Sequence, residues 1–527
     1  MLGSDKIISI NPATLEINGE VELTPAEDVN LIVEKARSVF PLWRDTPMSV
    51  RSLIIKKVQE LLLDRGMEFA ELITCEMGRP VVESFSLEIA ASVDIAGYYA
   101  ENAGKFLNNR KVPLHHLLFK RRESIIRFEP LGVFGVISPW NWPLLIPLGS
   151  IIPALLAGNC VVFKHSDQTP LISERIYALF RDAGIPEGVF QIIQGGADQG
   201  RALVGSSVEK IFFTGSTDVG RKIYKQASDS LKKCVLEMGG SDPAIVCKDA
   251  DIEYTSSGIV WGAFSNCGQN CNGMERVFVH SSVLSKFVEL LLSKTKELRI
   301  GSGLDYDTDL GPLSSKKQLD KMNRILFESV MAGCTVLTGG KRVEGSIGYF
   351  FEPTIIMRDK SLYTQKDDEI FGPIIYVTEV DSDEEAVELA NRSSFGLSSS
   401  IWTKNPKHGM KLARYIEAGT VMINDVIVSF GMAEAGWTGI KKSGVGWVHG
   451  EKGLDEMVNI KYINRDPQAS MQKIWWFPYT EKMLKTMKAG IIFLFSGKLR
   501  SVLVNIPIVL KNLTGQLLLN RKRSDKL

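Results

Sequence analysis

The chain has 527 residues, 44% of them hydrophobic, 23% charged and 9% aromatic, a globular profile with buried cores that excludes intrinsic disorder and fibrous repeats. That length exceeds what one core fills, so two or three domains are expected. With 62 Lys and Arg against 61 Asp and Glu, the formal net charge is +1, which excludes a nucleic-acid footprint spread over the whole molecule.

In chain order, the first distinctive stretch runs from Leu131 to Phe163 without a charged residue, longer than the roughly 20 apolar residues that cross a bilayer. Pro139, Pro143, Pro147 and Pro153 fall inside it. Each removes a backbone donor, and Asn141 would carry an uncompensated amide into lipid. The stretch is therefore expected to be core. It reads as a strand over Val133 to Ser138, a turn through Pro139-Trp140-Asn141-Trp142-Pro143, a buried helix, and a second strand over Asn159 to Lys164.

Further apolar strands are predicted at Val189 to Ile193, Lys210 to Phe213 and Cys234 to Leu236, spaced by segments of helical length. That spacing is the signature of βαβ units on a parallel sheet. A second alternating set, Ala244 to Val246, Glu275 to His280, Gly372 to Val380, Ser398 to Trp402 and Gly419 to Asn424, predicts a second α/β domain.

Beyond about residue 468, Trp475-Trp476-Phe477-Pro478-Tyr479 opens an extra segment. Its apolar runs, Ile491 to Phe495 and Val502 to Leu510, are interrupted by Gly497, Asn505 and Pro507, so neither is expected to cross a bilayer. Lys482, Lys485 and Lys488 precede the first run and Arg521-Lys522-Arg523 follow the second. Residues 481–527 hold ten basic and two acidic side chains, against 52 and 59 in the rest. Near-neutrality is thus a cancellation between an acidic body and a basic, apolar tail. Two expectations compete for residues 480–523: peripheral contact with an anionic membrane surface, and a helix packed over the body, closing a tunnel to the site or making a contact with a partner subunit.

Seven cysteines, an odd number, are scattered with no C-x-x-C pair, and no signal-peptide pattern opens the chain. These features predict reduced thiols in a cytoplasmic protein. No histidine forms a metal-ligand spacing with cysteine or a carboxylate, so no metal is expected.

Three residues stand out for chemistry. Cys271 lies in a loop of small and polar residues, Phe264-Ser-Asn266-Cys-Gly268-Gln269-Asn-Cys271, just before a strand; packing as a small hydrophobe is the ordinary fate of such a thiol. Glu237 leaves a strand into the Gly239-Gly240 turn, where backbone can approach a ligand closely. Asn141 sits in the proline-bracketed turn. Together they supply a nucleophile, a base and an oxyanion donor.

Eight blocks in order now carry a resemblance: Asn11-Pro-Ala-Thr14, Pro139-Trp-Asn-Trp-Pro143, Phe163-Lys-His-Ser-Asp167 with Thr169-Pro170, Phe213-Thr-Gly-Ser216, Glu237-Met-Gly-Gly240, Asn266 to Cys271, Glu369-Ile-Phe-Gly-Pro373 and Lys441-Lys-Ser-Gly444. Over roughly residues 9 to 465 the chain resembles the NAD(P)-dependent aldehyde dehydrogenase superfamily. The resemblance implies an α/β fold with a Rossmann-type cofactor domain over 1–114 and 138–238 and a second α/β catalytic domain over 239–440. A small β oligomerisation element would comprise 115–137 and 441–467, with 468–527 a basic apolar extension.

The implied chemistry is attack of Cys271 on an aldehyde, with the oxyanion held by the Asn141 side chain and the Cys271 backbone N–H. A hemithioacetal and then a thioester follow, the latter hydrolysed by water that Glu237 activates. Cys267 is a rival on composition, but the family motif Gly-Gln-x-Cys selects Cys271 and leaves Cys267 as a packing residue or redox partner. Lys164, Asp167, Gly215, Ser216, Glu369, Phe371 and Trp140 are implied to hold the cofactor. Helix capping by Ser216 and core packing of Phe371 are the plainer alternatives. The family's Lys-Pro-Ser-Glu reads Lys164-His165-Ser166-Asp167 here. A carboxylate repels a 2′-phosphate, so NAD is expected, with NADP the other candidate.

Trp140, Trp142, Trp261, Phe264 and Phe430 are candidates to line an apolar entrance, and no arginine stands out as a carboxylate clamp. The expected substrate is an apolar aldehyde and the expected assembly a homodimer or homotetramer. A coenzyme A-acylating semialdehyde dehydrogenase and a non-catalytic aldehyde- or NAD-binding protein are the alternatives, the first disfavoured by Glu237.

Overall fold

The computed structural model describes residues 6–116, 119–363, 369–467, 473, 475–495, 505–507 and 509. The chain divides into two compact units, Met1–Asn108 with Phe128–Ile460, and Asn109–Arg127 with Lys461–Leu527.

In the first unit the charge-free stretch is core. Val133–Ile137, Leu145–Leu156 and Cys160–Lys164 are buried at every position, which is why no alternation marks these strands. Asn159 Oδ1 accepts the N–H groups of Leu131 and Gly132 at 2.7 and 3.1 Å, satisfying a turn that has left the ladder. A six-stranded sheet runs in the order Gly444–Val445, Lys233–Glu237, Lys210–Thr214, Val133–Ile137, Cys160–Lys164, Phe190–Ile193. All neighbours are parallel except the short first strand. The order reverses between Val133–Ile137 and Lys210–Thr214. In open α/β sheets ligands bind beyond the carboxyl ends of the strands at such a switch point.

A seven-stranded sheet runs Thr335–Thr338, Thr354–Met357, Ile374–Val380, Met274–His280, Asp242–Val246, Ser398–Trp402, Thr420–Ile423. Only its first pair is antiparallel. Thr335–Thr338 and Thr354–Met357 escape sequence reading because each is four residues long with no alternation to mark it. The division drawn after residue 137 falls too late. Val133–Ile137 is bonded on both sides inside the six-stranded sheet, and Gly444–Val445 joins the same sheet, so neither segment belongs with an oligomerisation element.

The second unit holds most of a three-stranded sheet ordered Val458–Arg465, Glu123–Pro130, Arg110–Lys111. The extension contributes the helix Glu481–Phe495. Phe495 lies 5.6 Å from the His116 ring and Trp475 meets Phe119 edge-on at 5.9 Å, while Met483, Thr486 and Ala489 are buried. This part of the tail is therefore a packed helix with one covered face. The run Val502 to Leu510 is described only in part, and Arg521 to Arg523 lie outside the described residues. Among the described residues no helix is long and apolar enough to cross a membrane.

Candidate active site

Glu237 ends the strand Lys233–Glu237 with its side chain buried. Its Oε2 accepts the Trp437 indole N–H at 2.9 Å, while Oε1 is buried with no hydrogen-bond partner. Burial pushes this carboxyl well above the ordinary range, against the opposing Trp437 bond.

Cys271 follows a tight turn, Ser265–Gly268, in which Asn266, Cys267 and Gly268 all take left-handed backbone angles (φ 51, 53 and 68°). Such a run is strained for non-glycine residues and needs outside support. Asn266 Nδ2 donates to the Asn141 and Gln269 carbonyls at 3.1 and 3.2 Å, and Gln269 Nε2 donates to the Asn266 carbonyl at 3.0 Å. Gln269 Oε1 accepts the Ser314 N–H at 2.9 Å. Asn141 Nδ2 donates to the Gln269 carbonyl at 3.0 Å, and the Trp142 indole donates to Asn270 at 3.1 Å. The proline-bracketed turn and the cysteine loop are thus laced together. Gly268 is required: a Cβ there would stand 2.2 Å from the Gly372 carbonyl oxygen. At Gly240 it would stand 2.6 Å from that of Cys271.

All ten residues named from the sequence line one cleft of about 970 Å³ at the switch point: Trp140, Asn141, Lys164, Asp167, Gly215, Ser216, Glu237, Cys271, Glu369 and Phe371. Ser216 precedes the helix Thr217–Ser228 without a side-chain cap bond, so ordinary capping does not account for it. That helix end offers N–H groups to an anion. Lys164 is buried, which lowers its ammonium, with Asp167 pulling the other way. His165 turns aside: it is buried, pushed down to about 3, and bonded through Nε2 to Thr169 at 2.9 Å.

The sequence gives no signal for Ser315, Gln318 and Lys321, which border the same cleft. The amphipathic helix Lys316–Met331 looks like any other surface helix. Nor does it mark Glu275, whose Oε1 accepts the Ile370 and Phe371 N–H groups at 2.8 Å each. That clamp fixes Phe371 at φ 54° and sets its ring edge-on to Trp140 at 5.5 Å.

Burial pushes the Cys271 thiol far above its ordinary value, with Asp242, then Glu369 and Glu237, adding to the rise. Glu369 is itself raised to about 8 by burial and by Glu275. Cys267 is buried among apolar neighbours of the seven-stranded sheet and does not border the cleft.

Cys271 also borders a second cavity, about 230 Å³, lined by Trp142, Trp261, Phe430, Ile146, Leu145 and Met432 among others, with no charged side chain. Two of the aromatics expected there are elsewhere: Trp140 faces the larger cleft, and Phe264 is buried in the core. The cysteine therefore stands where a large cleft containing a helix N-terminus meets a small apolar one.

Residues 2–463 match the aldehyde dehydrogenase family. A probable succinate-semialdehyde dehydrogenase [NADP(+)] of Sinorhizobium fredii is 34% identical over 86% of this chain and 91% of its own. Betaine aldehyde dehydrogenase of Bacillus subtilis is 34% identical over 89% and 95%. Among solved structures, an NAD+ complex of aldehyde dehydrogenase from Bacillus cereus superposes with a TM-score of 0.83 at 34% identity, covering 88% of this chain and 94% of that one. An Escherichia coli NADP-dependent enzyme does so with 0.82 at 31%, covering 87% and 94%.

Proposed function

The chain belongs to the aldehyde dehydrogenase family, NAD(P)-dependent enzymes that oxidise aldehydes to carboxylic acids, and from that premise we propose that it acts on an uncharged, apolar aldehyde through Cys271, Asn141 and Glu237. The carrying observation is that Cys271 borders both cavities, one with the cofactor residues and one without charge.

The larger cleft fits a dinucleotide. Gly215 and Ser216 with the helix Thr217–Ser228 suit the pyrophosphate, Lys164 and Asp167 the adenosine ribose, and Glu369 the nicotinamide ribose. When bound, the nicotinamide supplies a hydride acceptor. The Cys271 thiol gives up its proton to solvent and its sulfur adds to the carbonyl carbon, while the Asn141 amide and the Cys271 N–H donate to the oxyanion. Glu237 then removes a proton from the water that attacks the thioester. The Asp167 carboxylate in the ribose position favours NAD.

Asn141→Ala should lower kcat/KM by about 10²- to 10³-fold, the usual cost of one oxyanion donor. Because Asn141 also braces the loop, the rate of Cys271 alkylation is measured in parallel; a parallel collapse of alkylation would assign Asn141 to loop structure alone.

The substrate proposal is tested by kcat/KM over a straight-chain aldehyde series with succinate semialdehyde alongside, each with NAD and NADP. Uncharged aldehydes with NAD should lead, and Asp167→Ser should narrow the gap between cofactors. Preference for the semialdehyde would overturn the proposal, despite the names of the relatives.

Association into homodimers or homotetramers is supported by the edge strand Val458–Arg465, which leaves Ile460 and Tyr462 each 55% exposed; sedimentation velocity measures it. Peripheral membrane contact of residues 480–523 is supported by exposed Leu484 and Ile491 beside Lys482, Lys485 and Lys488. Sedimentation with anionic liposomes, full-length against a chain ending at Asp466, decides it.

A further inference from the structure

The elements around the seven-stranded sheet gather three side chains that no spacing along the chain would link. Cys247 comes one residue after the strand Asp242–Val246 and is fully buried. Asp383 opens the helix Asp383–Asn391 and is 6% exposed. His408 lies in the helix Pro406–Ala413, its side chain 27% exposed. The Cys247 sulfur, a carboxylate oxygen of Asp383 and a ring nitrogen of His408 all lie within 4.8 Å of one another. His408 Nε2 meets Asp383 Oδ2 at 2.7 Å, while Asp383 Oδ1 is buried with no hydrogen-bond partner.

Helix capping does not explain these positions. Ser382 already caps Asp383–Asn391 through the Glu385 N–H, and Asn405 caps Pro406–Ala413 through the His408 N–H. Asp383 and His408 direct their side chains to each other and to Cys247 instead. A buried carboxylate oxygen faced only by the Cys247 thiol, a weak donor, is poorly satisfied and suits a cation.

We propose that Cys247, Asp383 and His408 form a binding site for a zinc-like divalent ion, with a fourth position left to water. A sulfur, a nitrogen and an oxygen make a borderline-soft donor set of the kind zinc takes. Bonds of about 2.0 to 2.3 Å at tetrahedral angles put ligand atoms roughly 3.3 to 3.8 Å apart, within reach of the observed grouping. Binding exchanges the His408–Asp383 hydrogen bond for two metal bonds, with the His408 ring proton held on the nitrogen that does not ligate, and releases the Cys247 thiol proton to solvent. The partial exposure of His408 gives the ion a way in.

The expectation of no metal rested on spacing in sequence, and here the ligands come from three separate elements. The ion would tie the start of Asp383–Asn391 to the sheet. The far end of that helix receives Arg276, which donates to the Ala390 carbonyl at 3.2 Å and to the Ser241 carbonyl at 2.6 Å, next to Gly240 and the Cys271 loop. The site is thus a brace for the catalytic loop.

The test uses the full chain as Cys271→Ser, so that the active-site thiol cannot compete. Titration with cobalt(II) should give a thiolate-to-cobalt charge-transfer band saturating at one equivalent, bleached by zinc, and zinc should raise the melting temperature. Cys247→Ser should remove the band. His408→Ala, at a partly exposed position, should weaken binding by more than about tenfold. No band, a band that survives Cys247→Ser, or unchanged affinity in His408→Ala would each overturn the proposal.

Discussion

Replacing Cys271 with alanine should lower aldehyde-dependent reduction of NAD by more than about 10⁴-fold, with the melting temperature close to that of the parent. The loss is total in practice because the neighbouring thiol cannot stand in. Cys267 is buried in the core of the seven-stranded sheet and does not border the cleft. Cys267→Ala should therefore keep activity within a few-fold and show its effect in stability, as a small core truncation does. The pH dependence separates the two thiols again. Burial and the carboxylates of Asp242, Glu369 and Glu237 hold Cys271 protonated well above the ordinary range. In the free enzyme, alkylation of Cys271 should thus keep rising with pH through neutrality, since only the thiolate reacts. Initial rates followed by nicotinamide absorbance, with iodoacetamide kinetics on the free enzyme, check both statements. Residual turnover in Cys271→Ala, or collapse of activity in Cys267→Ala, would reassign the nucleophile.

How much of this was legible in the sequence depends on how local each signal is. Glu237, Cys271 and Asn141 stand in short blocks whose glycines and prolines dictate backbone shape, so their neighbours announce them. The all-buried strands Val133–Ile137 and Cys160–Lys164 were visible because a charge-free run broken by prolines cannot be a membrane helix. Glu275 was invisible because its work, holding the Ile370 and Phe371 N–H groups, joins the strand Met274–His280 to a loop nearly a hundred positions further on, just ahead of the neighbouring strand Ile374–Val380. Gln318 and Lys321 reach the cleft only because Lys316–Met331 is placed there by the fold. The grouping of Cys247, Asp383 and His408 has the same origin: tertiary structure makes the neighbourhood, and no linear pattern encodes it. The tail shows the limit of composition. A basic, apolar stretch is equally good as interfacial or packed, and the His116 ring against Phe495, with Met483, Thr486 and Ala489 buried, decides for packing along one face of Glu481–Phe495, leaving its opposite face open.

Glu237→Gln should separate the two halves of the reaction. If Glu237 serves hydrolysis, the variant should still form the thioester, giving a burst of reduced cofactor near one equivalent per active site, and then turn over about 10²- to 10⁴-fold more slowly. Coenzyme A should not restore the parent rate, since the acceptor that Glu237 serves in the parent is water and not a thiol. The sign of the pH effect follows from the environment. Burial raises this carboxyl well above the ordinary range, and the Trp437 indole, which donates to its Oε2 at 2.9 Å, opposes the rise. Glu237 works as a base only when ionised, so hydrolysis in the parent should increase with pH through the raised pKa and level off above it. The Gln variant should lose that limb. Trp437→Phe removes the bond that favours the ionised form, so its midpoint should move further up, with the high-pH plateau retained. Stopped-flow bursts at a series of pH values measure all three enzymes. A Gln variant with no burst would place Glu237 in the addition step, where its buried Oε1 would accept the proton of the Cys271 thiol. Rapid turnover restored by coenzyme A would make the enzyme an acylating one.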